Sequence, residues 1–155
     1  MRRIPLIALI LIASAFAACS YITDFVVLNG SDKAIEVRYQ ISDFPGPFRA
    51  PVTPATKAAD ELLDGDKPWS ELSPSQYGRD PESRTVTVTL MPHSALLVER
   101  VHRGGMQVDE ADEAATFAIN ELVVVGDYGE IRLQGKQVRK AFVPESKKAF
   151  VLMYK

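Results

Sequence analysis

Between Ile35 and Ile41 the chain reads "IEVRYQI", with Ile35, Val37, Tyr39 and Ile41 interleaved with Glu36, Arg38 and Gln40. Side chains of a strand alternate between its two faces, so this period of two makes one face apolar and the other polar. A sheet with one apolar face must lay that face against a second layer. Ahead of the alternation lie an apolar run from Thr23 and a turn cluster at Asn29, Gly30, Ser31 and Asp32. Asn-Gly between two apolar runs is a strong hairpin signal, and it predicts a β-hairpin over 23–41.

The second half of the chain repeats the pattern. "TVTVTLM" alternates Val86, Val88 and Leu90, "SALLVERV" follows Pro92, and "FAINELVVVG" follows an acidic stretch. "DYG" at 127–129 leads into "EIRLQG", then "QVRKAFV", and the chain ends on "AFVLMY" before Lys155. Counted with the hairpin this predicts about eight strands at the spacing of an all-β, antiparallel β-sandwich of immunoglobulin-like or transthyretin-like kind. A closed barrel is the alternative.

One segment breaks the pattern. Residues 42–83 hold seven of the ten prolines, at 45, 47, 51, 54, 68, 74 and 81. Proline cannot donate to a ladder, so this stretch is expected to be a long connection rather than sheet. Within it "TPATKAADELLD" predicts a short helix, with Thr53 as cap and Pro54 at the first helical position. Trp69 and Tyr77 also lie here, and aromatic residues on a loop over a rigid scaffold are frequent recognition elements. They are the candidate partner-binding residues. The plainer expectation for Trp69 is that it folds back to plug one end of the sandwich.

The amino terminus carries the only cysteine. Arg2 and Arg3 precede the apolar segment "IPLIALILIASAFAAC", the basic head, apolar middle and small-residue ending of a secretory signal. As a helix, residues 4–19 would reach about 24 Å at ~1.5 Å per residue, short of the ~30 Å hydrocarbon core. "AFA" (Ala15 to Ala17) fits the small-x-small rule of ordinary signal peptidase, which would leave Cys19 as a lone thiol. "FAAC" resembles the lipobox of bacterial lipoproteins, with Phe16 where leucine is usual. That resemblance implies that Cys19 is acylated with fatty chains of the palmitate kind and becomes the first residue of the mature protein. It also implies that Ser20, in place of an aspartate, belongs to the class sorted to the outer membrane, facing the periplasm. The resulting division is a signal peptide over 1–18, a lipidated cysteine and tether over 19–22, and one sandwich domain over 23–155.

Removing residues 1–18 takes away Arg2 and Arg3 and leaves 137 residues, with 16 basic against 20 acidic side chains, a formal net charge of −4. That balance offers a nucleic acid no electrostatic footprint. It leaves the acyl chains on Cys19 as the membrane contact. A single thiol forbids an internal disulfide.

Catalytic signals are absent. His93 and His102 flank one predicted strand without the clustering a metal needs. His93 and Ser94 are neighbours and would point to opposite faces, and no G-x-S-x-G elbow occurs. The run "DEADE", 109–113, lacks the glycine and spacing of a calcium loop and reads as the first turn of a short helix. No cofactor is expected. "VLNGSDKAIEVRYQI" loosely resembles the first hairpin of the outer-membrane lipoprotein of type VI secretion, which implies a transthyretin-like sandwich. The expectation is a non-enzymatic binding or scaffolding module of the cell envelope. An adaptor subunit of a secretion or envelope complex, with a protein partner there, is the first alternative, and a small periplasmic hydrolase is the second.

Overall fold

The computed structural model describes residues 21–42, 53–64, 67–103, 117–146 and 148–155. The signal segment, Cys19 and the acidic run at 109–113 lie outside them. The described chain is an all-β sandwich of two sheets. One holds β1 (Tyr21–Asn29), β3 (Ala55–Ala58), β4 (Ser70–Glu71), β7 (Ser94–Arg103), β10 (Val143–Pro144) and β11 (Ala149–Tyr154). The other holds β2 (Ile35–Ile41), β5 (Tyr77–Asp80), β6 (Thr85–Leu90), β8 (Ile119–Gly126) and β9 (Gly129–Gln134). Strand order is β10-β11-β1-β7-β3-β4 in the first sheet and β5-β6-β2-β8-β9 in the second. All pairings are antiparallel except β1 with β11.

The alternating residues do what their period requires. Ile35, Val37 and Tyr39 of β2, with Val86, Val88 and Leu90 of β6, are buried in one cluster. Phe25 and Val27 of β1 and Leu96 and Val98 of β7 close it from the other sheet. Burying an aliphatic or aromatic side chain of this size is worth roughly 1.5–3 kcal/mol, and with no disulfide such packing is what holds the domain. Phe25 meets the rings of Phe117 and Phe142 edge-on, with centroids 4.8 and 5.6 Å away, and stacks on Phe150 at 5.2 Å. The Arg139 guanidinium lies 4.9 Å from the Phe25 ring and 4.4 Å from that of Phe150.

Three expectations are corrected. First, β1 and β2 do not form a hairpin: they belong to different sheets. Both edges of β1 are taken, by β7 and β11, and both edges of β2 by β6 and β8. A type I′ turn needs positive φ at both central residues, and neither Asn29 nor Gly30 has it. Asn29 instead is buried and works as a bracket between the sheets. Its amide donates to the carbonyls of Lys33, Leu90 and Met91, and its Oδ1 accepts from the backbone N–H and hydroxyl of Ser31.

Second, the helix expected over 53–64 shrinks to a 3₁₀ turn, Ala59–Glu61, and no side chain caps it. Ala55–Ala58 ahead of it is strand β3, paired to β7 in the register Ala55↔Leu97 to Ala58↔Ser94. Ala55 and Lys57 are buried, whereas Thr56 and Ala58 are less so, a period of two rather than 3.6. The proline-rich connection therefore contributes three short strands, β3, β4 and β5, and Pro54, just outside β3, loses no ladder bond.

Third, "QVRKAFV" is not a strand. Gly135, at φ 54°, turns the chain out of β9 into helix α1 (Lys136–Ala141), and only Val143–Pro144 is extended. As a strand, Val138, Lys140 and Phe142 would share one face. The helix buries Val138 while Lys140 stays in solvent.

Candidate functional site

Asp24 stands in an otherwise apolar stretch of β1, directly across from Arg100 of β7. Arg100 Nε donates to Asp24 Oδ1 at 2.6 Å and its Nη2 to Oδ2 at 2.9 Å, a two-pronged ion pair. This geometry is the strongest that guanidinium and carboxylate adopt. The Asp24 hydrogen bond raises the pKa of the Arg100 guanidinium further. The indole Nε1–H of Trp69 donates to the same Oδ2 at 3.0 Å, so one carboxylate holds the arginine and the tryptophan together. Both oxygens of Asp24 are thereby committed, which makes it a tether for other groups and not a free base.

Trp69 lines a groove of about 570 Å³. Leu62, Leu63, Lys67 and Pro68 line it from the segment around Trp69, Ile22 and Asp24 from β1, Arg100 from β7, and Ser146, Lys148 and Ala149 from the turn into β11. Lys57 reaches in from β3, its ammonium 5.2 Å from the centre of the Trp69 ring and donating to the carbonyl of Asp64 at 3.2 Å. A cation over an indole face is favourable, the more so where water is excluded, and Lys57 is buried. Lys67 is exposed, and its bond of 2.7 Å to Glu61 raises its pKa. The groove thus combines an aromatic plate, aliphatic side chains and cations. No histidine or cysteine is among its described lining residues.

The two aromatic residues singled out from the sequence are not brought together. Trp69 sits on the sheet that carries β1 and β7. Tyr77 opens the edge strand β5 of the other sheet and packs partly buried against the central cluster. Trp69 does not plug an end of the sandwich: it lies outside that cluster and is held by Asp24. His93 and Ser94 likewise diverge. His93 Nε2 lies 3.0 Å from Asp32 Oδ1, while the Ser94 hydroxyl donates to the Pro92 carbonyl. His93 takes a left-handed backbone, φ 51°, on leaving β6 for β7. Among the described residues no group of three His, Cys, Asp or Glu is placed to hold a metal ion, and no helix is long and apolar enough to cross a membrane.

Sequence reasoning passed over Asp24, Lys57, Arg100 and Lys148. The signal for Asp24 and Arg100 was available: an acid and a base inside apolar strands, where opposite charges across adjacent strands attract. The lysines carried no comparable mark, because only the fold brings β3 and the β10–β11 turn to the same groove.

The chain was compared with models of protein families, with curated proteins and with solved structures. It matches none of them.

Proposed function

We propose that this protein is a lipid-anchored, non-enzymatic binding module of the cell envelope, held by acyl chains on Cys19 and binding through the Trp69 groove. The observation that carries the reading is the fixing of Trp69 by Asp24 and Arg100 in the lining of an amphipathic groove. Rigid, oriented aromatic side chains are the usual anchors of binding surfaces, since little conformational entropy remains to be lost when a partner arrives. The committed Asp24 carboxylate and the separation of His93 from Ser94 favour binding over hydrolysis. The lipobox-like start supports the anchor, and Ser20 supports placement at the outer membrane facing the periplasm.

Site-specific photo-crosslinking in living cells tests the binding role. A probe at Leu63, on the groove wall, leaves Trp69 in place. Probes at Tyr77 and at Glu130 of β9 report on the other sheet. The expected result is adduct formation from position 63 well above that from 130. Adducts from 77 or 130 alone, or from none of the three, would contradict the groove as the binding surface.

A further inference from the structure

The groove is lined by Ile22, three residues along the chain from Cys19. Tyr21 is already the first residue of β1, two positions after Cys19. Three residues of chain span at most about 10 Å. With Cys19 acylated, Ile22 and the side of the groove it lines therefore ride within about that distance of the headgroups.

We infer that the Trp69 groove seats the phosphate headgroups of anionic phospholipids in the same membrane that holds the acyl chains. This rests on the anchor proposed above, and it names the ligand of the groove. Ile22 and Leu63 are among the exposed large apolar residues, at 43% and 59% of full exposure, and both border the groove. Beside them stand Trp69 and the lysines 57, 67 and 148. An indole with exposed aliphatic side chains and the exposed lysines 67 and 148 is the composition that rests in a headgroup layer, while the buried Lys57 adds its charge at the Trp69 ring.

Charge agrees. The domain from Cys19 onward carries a formal −4, which an anionic surface repels unless cations are gathered where the two meet. With Asp24 and Arg100 neutralising each other, the described lining holds Lys57, Lys67 and Lys148 against Asp64. The Lys67–Glu61 pair is exposed on both sides, 53% and 37%. Pairs of that kind contribute little, so Lys67 exchanges the carboxylate for a phosphate at small cost.

Trp69 is the only tryptophan, so its emission reports the groove alone. The test uses the mature acylated protein reconstituted into phosphatidylcholine vesicles with or without phosphatidylglycerol, and with bromine on the acyl chains near the headgroups. The expected result is a blue-shifted Trp69 emission that bromine quenches in the anionic vesicles and much less in the neutral ones. Lys67→Gln and Lys148→Gln lower the ratio of docked to undocked protein roughly fivefold for each lysine lost, with the far-ultraviolet dichroism unchanged. Protein that floats with the vesicles but shows the same emission with and without bromine overturns the headgroup site and leaves the anchor standing. Protein that fails to float overturns both. Quenching that is equal in neutral vesicles and insensitive to the lysine variants overturns phosphate recognition. Trp69 shielding that instead rises with protein concentration assigns the groove to a second copy of the chain.

Discussion

Tyr39 is the largest fully buried side chain of the core, and its hydroxyl finds no hydrogen-bond partner among the described residues. A buried polar group without a partner costs about 1–3 kcal/mol. Burial also pushes its phenol well above the ordinary range, because the phenolate would have to sit among apolar side chains. The unfolded chain ionises this group near pH 10 or so, so stability present at neutral pH is lost as pH climbs from there toward the raised native value. Tyr39→Phe is therefore expected to match or exceed the parent by about 1 kcal/mol at neutral pH and to lose less of its stability under alkaline conditions. Urea denaturation at both pH values measures this, and a clearly destabilised Phe variant would show that the hydroxyl has a partner. The inward direction of Tyr39 is legible in "IEVRYQI", since Val37 and Ile35 share its face. Its missing partner is not, because what lies opposite a side chain depends on the other sheet.

Among the elements, the strands with strict alternation were readable and those defined by their neighbours were not. β2 and β6 pair over Ile35↔Leu90 to Gln40↔Thr85, and each shows its period in the sequence. β3 shows none. Three of the four residues in Ala-Thr-Lys-Ala favour helix by propensity, and the segment becomes strand by pairing with the edge of β7. Asn-Gly at 29–30 pointed to a hairpin because local turn chemistry does not reveal that both edges of β1 are occupied. The same dependence on neighbours holds Trp69 in place. Asp24→Asn keeps the shape of the side chain but removes its charge from Arg100 and Trp69. The expected cost is about 1.5–3 kcal/mol, the range for hydrogen bonds to charged groups, accompanied by a red shift of Trp69 emission as the indole loosens. Denaturation followed by tryptophan fluorescence reads both. An unchanged emission maximum would mean that the other lining residues fix the indole without Asp24.

At the scale of the whole molecule, two sheets share a core with no disulfide, and the single thiol stands two residues ahead of the first strand. Fold class was legible from the apolar periods. The groove was not, because it joins β1, β3, β7, the wall around Trp69 and the turn before β11, segments more than a hundred residues apart. The proposed function depends on how these parts sit relative to a membrane: acyl chains on the Cys19 sulfur would hold Ile22, and with it one side of the Trp69 groove, close to the surface they enter. The amino-terminal peptide of protein purified from membranes decides the matter most directly. Mass spectrometry is expected to find it beginning at Cys19, with the sulfur bearing a diacylglyceryl group. A free thiol on Cys19, or a chain that begins at Ala18, would contradict the account.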